Sequence, residues 1–239
     1  RLYDRRDHRN LGNVPAGALF LTAGADVQRE RIEVHVWGWG RDMRSWLVDV
    51  IHLEGNTSDL SNPVWNKLTA LLQQQWEQEE TGNFLTLDRL AIDTGDGLTT
   101  SVVYGWCRQA GGNVLAFKGM RGYDRAMPVS GPTYVDVTWK GKKIKEGLQL
   151  WTVSVSVFKA ETYRFLRLDR PTDEQLAEGQ SYPAGYIHIP TGASDEWVQQ
   201  LVSEQLVTVE NKKTKFKRLE WHKLRDRNEA LDCRVYARA

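Results

Sequence analysis

The chain has 239 residues, with 32 Lys+Arg against 31 Asp+Glu and a formal net charge of +1. Hydrophobic residues at 41% and charged residues at 26% are the make-up of a folded globular protein, which excludes a disordered or collagen-like chain. The longest apolar runs, 18–21 and 153–157, fall far short of the roughly 20 residues of a spanning helix, so no membrane association is expected.

Charges crowd Arg1–Asp7, where an export signal would be apolar, and none is expected there. Residues 1–17 are polar, end in Pro15-Ala16-Gly17, and are expected to be a linker arriving from an upstream domain, with the folded domain at 18–239. From Ala18 the pattern has period 2: Leu19, Leu21, Ala23, Ala25 and Val27 share one face of a strand, with Phe20, Thr22, Gly24 and Asp26 on the other. Ile32–Trp39 alternates in the same way after a short polar link, which predicts an antiparallel hairpin, and Ser45–Leu53 extends it into a meander. Asn62-Pro63 opens a helix on which Val64, Leu68, Leu71, Leu72 and Trp76 recur at helical spacing. Leu85–Ile92, a helix over Thr99–Arg108 and Val114–Phe117 then make a parallel βαβ unit. Gly119–Gly147 is predicted as a long excursion with strands near Tyr134–Val137 and Leu148–Val153. Ala160–Leu166, Asp195–Leu206 and Glu229–Ala237 are predicted helices, and Leu206–Glu210 and Phe216–Trp221 flank the basic turn Asn211-Lys212-Lys213-Thr214. The sum is an α/β fold: a mixed sheet of three antiparallel strands plus parallel βαβ strands, with helices on both faces.

Cys107 and Cys233 form no CxxC pair and read as small buried hydrophobes; the five histidines form no HExxH, and no GxxxxGK[ST] is present. Three acids call for more. Asp26 ends the first strand beside Gly24, and Asp93 ends the fourth, where ligands of an open sheet gather. On the last helix Arg227, Arg234 and Arg238 fall on one arc, read as the solvent stripe, and Asp232 lies about 140° away, pointing inward. Singly, Asp26 and Asp93 are ordinary turn residues and Asp232 half of an ion pair. Together they would repel one another unless a cation sits among them, and oxygen ligands alone select Mg²⁺ or Mn²⁺. Paired ions of this kind serve displacement at phosphorus, which is nuclease chemistry.

Asp226 and Glu229 read as a capping box, Glu54 as a solvated loop residue or a further ligand, and Asp96 as undecided. Over residues 212–227, Lys212, Lys213, Lys215, Lys217, Arg218, Lys223, Arg225 and Arg227 face only Glu220 and Asp226, which suits phosphate binding as well as it suits a solvated hairpin; Lys140, Lys142, Lys143 and Lys145 would extend the patch.

Leu21–Gln28, Val36–Gly40, Asp93-Thr94-Gly95, Lys118-Gly119 and above all Arg227-Asn228-Glu229-Ala230-Leu231-Asp232-Cys233-Arg234-Val235-Tyr236-Ala237 resemble the C-terminal nuclease domain of the large terminase subunit of lambda-type tailed bacteriophages, in order from about Val14 to Ala237. The resemblance implies an RNase H-like fold in which Asp26, Asp93 and Asp232 bind two Mg²⁺ or Mn²⁺ ions and cut concatemeric phage double-stranded DNA during packaging in the host cytoplasm. It implies as partners an N-terminal ATPase domain of the same chain, the small terminase subunit and the portal protein; Lys118, the 212–218 basic residues and Arg227 are the expected DNA contacts. Relatives often carry glycine at the position of Asp96. Two other readings stand beside it. Asp93–Thr100 resembles the phosphate loop of actin-like ATPases and sugar kinases, although the second loop and the adenosine motif are missing, and the chain also fits a non-catalytic module docking motor to portal.

Overall fold

The computed structural model describes residues 2–3, 6–95, 97–123 and 127–239; Asp96 lies outside them. Strand β1 (Phe20–Gln28) pairs antiparallel with β2 (Arg31–Trp39), and β2 with β3 (Ser45–Glu54). Their alternation sorts the two sheet faces. Leu21, Ala23, Ala25 and Val27 join Ile32, Val34 and Val36 in one core, while Thr22, Gly24 and Asp26 face the other side.

Helix α1 (Pro63–Leu71) starts where Asn62 Oδ1 accepts from the Val64 N–H. It stops at Leu71, and Trp76, expected on the same helix, begins β4 (Trp76–Glu77) against β5 (Phe84–Leu85). A seam of apolar residues at helical spacing does not distinguish a longer helix from a helix followed by a buried strand. Strand β6 (Leu87–Asp93) runs parallel to β1, and after α2 (Thr100–Ala110) β7 (Val114–Met120) runs parallel to β6. The excursion after Lys118 is a hairpin longer than its apolar segments predict, β8 (Val129–Trp139) and β9 (Lys142–Ser154), with β9 parallel to β7. Helix α3 (Val155–Leu166) follows β9 directly, so the apolar run 153–157 straddles a strand end and a helix start.

After α4 (Asp173–Ala177), the short β10 (Ile187–His188) adds to β3. The sheet order is β10-β3-β2-β1-β6-β7-β9-β8, an RNase H-like mixed sheet. Helix α5 (Asp195–Leu201) ends well before Leu206, because the β-branched run Val207-Thr208-Val209 belongs to β11 (Glu204–Glu210), which pairs with β12 (Lys217–Lys223) as a separate ribbon. The last element is α6 (Glu229–Arg238).

Helices α1 and α2 cover one face, through Trp65, Leu68, Val103 and Trp106. The other face carries α3, α5 and α6, through Phe158, Trp197, Leu231 and Val235. Among the described residues no helix is long and apolar enough to cross a membrane. The lead-in lies against the body: Val14 is fully buried, and its N–H and C=O bond Glu77 and Glu79.

Helix α6 has no solvent stripe. Arg234, expected on one, is fully buried, its guanidinium 4.3 Å from the Trp37 ring and 4.5 Å from the Trp39 ring. The helix is sandwiched between the sheet on one side and α3 and α5 on others, so its polar arc is covered as well as its apolar one. Burial pulls the Arg234 pKa down to about 9. The expected capping box is also absent: Asn228 is the N-cap, and Glu229 is taken by Arg31 at 2.7 Å.

Gly24 decides how closely α6 can lie on β1. A Cβ there would stand 1.9 Å from the Cys233 carbonyl oxygen. Gly24→Ala is therefore expected to cost at least about 2 kcal/mol in urea unfolding, the scale of overpacking a filled interior. Gly112→Ala, whose Cβ meets nothing within 4 Å, should stay within about 1 kcal/mol of wild type; equal midpoints for the two variants would contradict this account.

Candidate active site

The register of β1 on β6 pairs Ala25 with Ile92, so Asp26 and Asp93 come next at the carboxyl ends of two adjacent parallel strands. Helix α6 lies on Gly24 through Cys233, and the residue before it, Asp232, completes a trio. The three sense one another: burial first, then the charges of Asp232 and Asp93, push the Asp26 pKa up to about 8. Burial also raises Asp93, against the donors that hold it, and raises Asp232, against the nearby charge of Lys159.

Each acid has different company. Asp26 Oδ2 accepts from Gln28 Nε2 at 2.6 Å. Asp93 Oδ1 accepts from the Tyr236 hydroxyl and from the Gly95 N–H, both at 3.0 Å. Gly119 leaves room for that hydroxyl, since a Cβ there would lie 2.7 Å from it. Asp232 receives Lys159 Nζ on Oδ1 at 3.2 Å and Asn228 Nδ2 on Oδ2 at 2.7 Å. Lys159 also contacts Glu204 Oε1 at 2.8 Å, and Asn228 Nδ2 donates to that oxygen at 3.0 Å. The sequence by itself assigns no role in the site to Lys159, Glu204, Asn228, Gln28 or Tyr236. Asn228 and Tyr236 lie inside the Arg227–Ala237 motif, and Lys159 is a lone cation in the apolar stretch 153–160.

Among the described residues no three His, Cys, Asp or Glu side chains close on a single point that could hold a metal. The three acids are coupled through their charges, Asp26 to Asp232 and Asp93, and Asp93 to Asp232. Among the same residues only neutral donors reach Asp26 and Asp93. Buried carboxylates without a counter-cation are a donor set that suits hard divalent ions.

The other candidates are spread out. Lys118 is exposed on β7, one residue past Phe117, the register partner of Asp93. Lys212 and Lys213 sit in the ribbon turn; Lys215 and Lys217 lie 3.3 and 4.0 Å from Glu210, and Arg218 lies 2.5 Å from Glu220. Arg227 also meets protein carboxylates: Glu33 at 3.1 Å, Glu229 at 3.4 Å, and Glu196. Glu54 is exposed at the end of β3, across from Arg31 and two strands from β1. Lys142, Lys143 and Lys145 start β9, which is parallel to β7, and so stand at the opposite end of the sheet from Asp93 and cannot extend the ribbon's patch.

The whole chain, residues 1–239, matches the family model described as terminase large subunit gpA, endonuclease domain. It is 32% identical over 232 residues to the terminase large subunit of Enterobacteria phage P21, covering 97% of this chain and 33% of that protein. To the terminase large subunit of Escherichia phage lambda it is 29% identical over 241 residues, covering 99% of this chain and 34% of that protein. The chain thus spans about a third of the length of these relatives. No solved structure matches.

Asp26 faces Asp93 and Tyr236 across the site, Asp232, Glu229 and Cys233 from α6, and Glu33 in register on β2. Folding tightens its hold on a proton, so its contribution to stability is complete below its ordinary value of 3.8 and is lost as pH rises through about 8. In chelator, wild type should therefore lose more stability than Asp26→Asn between about pH 4 and about pH 8. At the upper limit the variant should be the more stable, by on the order of 3 kcal/mol. Parallel urea midpoints across that range would rule this out.

Proposed function

Since this chain belongs to the endonuclease-domain family of the terminase large subunit gpA, we propose that it is a divalent-metal-dependent DNA endonuclease cutting concatemeric phage double-stranded DNA during packaging in the host cytoplasm. The observation that carries the reading is the meeting of Asp26, Asp93 and Asp232 at the carboxyl edge of β1 and β6. In this reading Asp26, Asp93 and Asp232 would hold two Mg²⁺ or Mn²⁺ ions. When bound, such ions supply Lewis-acid activation of water and stabilisation of the departing 3′ oxygen. The chain's own residues set the geometry. Tyr236 and the Gly95 N–H orient Asp93, Gln28 orients Asp26, and Asn228 orients Asp232. Hydrolysis breaks the P–O3′ bond and leaves a 5′-phosphate.

Lys118, Lys212, Lys213, Lys215, Lys217 and Arg218 are exposed and supply cations for the DNA backbone. Arg227 contributes differently, by tying α5, β2 and the start of α6 together through Glu196, Glu33 and Glu229. An ATPase domain preceding residues 1–17, the small terminase subunit and the portal protein complete the proposed setting.

Supercoiled plasmid and Mn²⁺ test the reading. Asp26→Asn and Asp232→Asn are each expected to slow nicking at least about a hundredfold, and wild-type cutting by either variant would refute it. Lys212→Ala with Lys213→Ala should weaken DNA binding and reduce the slope of log affinity against log salt by about 2. An unchanged slope would remove the ribbon tip from the DNA interface.

A further inference from the structure

Lys159 is 7% exposed, on the second turn of α3, and its ammonium is shared between Glu204, 4% exposed, and Asp232. The acid trio is therefore electrostatically lopsided. Asp232 has a cation on one oxygen and an amide on the other, and that amide belongs to Asn228, whose Oδ1 accepts from Lys223 Nζ at 2.7 Å. Asp26 and Asp93, among the described residues, have only neutral donors.

We propose that Lys159 is a positioning residue that divides the acid cluster into two unequal cation sites: a tight one at Asp26 and Asp93, and a weak one at Asp26 and Asp232, where a divalent ion must compete with the ammonium. The inference rests on the nuclease reading and deepens it, by assigning the two ions an order of binding. At Asp26 and Asp93 an arriving dication displaces a proton but no cation of the protein. At Asp232 the dication meets a fixed positive charge of the protein a few ångströms away, on a buried lysine beside a half-buried carboxylate, where charges interact more strongly than in open solvent. Glu204 moderates the effect by holding the ammonium from its other side, so the position of Lys159 between two acids sets how weak the second site is.

Mn²⁺ titration of the metal-free chain, followed by calorimetry and by the spin-resonance signal of free Mn²⁺, separates the possibilities without DNA. Wild type is expected to show a tight and a weak class. Lys159→Gln should strengthen the weak class by about tenfold or more while leaving the tight class unchanged. Lys159→Arg should keep the wild-type pattern. Glu204→Gln, which leaves the ammonium to Asp232 alone, should weaken the weak class further, and it serves as the deciding variant if Lys159→Gln does not fold. A folded Lys159→Gln with an unaltered or weaker second class would overturn the proposal, as would Glu204→Gln with wild-type binding. Absence of any Mn²⁺ binding by wild type, or a tight class that survives both Asp26→Asn and Asp93→Asn, would instead defeat the nuclease reading itself.

Discussion

The backbone of α6 resting on β1 at Gly24 is the contact from which the other features of the site follow. With no side chain at Gly24, the helix approaches until the Cys233 carbonyl sits where a Cβ would be. At that depth Asp232 reaches the strand ends that carry Asp26 and Asp93, and Tyr236 reaches Asp93 over Gly119. The same depth buries Arg234 against Trp37 and Trp39, where among the described residues its nitrogens meet no hydrogen-bond partner. Stacking on indole faces is the compensation the sheet offers that cation. The end of the helix is fastened in the same way, by the Thr22 hydroxyl donating to the Ala237 carbonyl and accepting from Trp39.

The electrostatics on this face change character over one strand. Glu33 is the direct cross-strand partner of Asp26 and is even more deeply buried. It is met by Arg31 at 2.7 Å, Arg227 at 3.1 Å and His52 at 2.5 Å. Asp26 has a neutral amide. Burial alone thus does not account for the lack of a counter-cation at Asp26, because the adjacent carboxylate in the same layer is supplied with cations. A folded chain tolerates one acid-rich locality when its surroundings are otherwise paired, and such a locality is what makes this edge of the sheet the candidate site.

The strands and the trio are legible in the sequence because each leaves a local trace. Period-2 alternation marks β1 and β2, Gly24 marks a close approach, and Asp93-Thr94-Gly95 marks a strand end. The helical angle places Asp232 inward. The same angular reasoning fails for Arg234, since it assumes one side of a helix meets water and α6 is enclosed by three elements. Lys159 and Glu204 are opaque for a related reason: each is an ordinary charged residue in its own segment, and they become significant only when α3, β11 and α6 converge. The end of α5 is misread because Asp195–Leu206 is apolar at a spacing that a helix and a following strand both satisfy. Arg227 reads as a phosphate ligand from the charge run around it, and of its carboxylate partners only Glu229 is local; Glu33 and Glu196 lie in no window around it.

The trio also has a consequence in time. The hydrogen bond that fastens α6 to β1 joins residues 215 positions apart, and the contact of Cys233 with Glu33 spans 200. Closing loops of such length carries a large entropic cost. In chain order the β1–β3 meander and the βαβ unit, with Asp26 and Asp93, come before the helix that delivers the third acid. Until α6 is made and packed on Gly24, the cluster lacks its third acid.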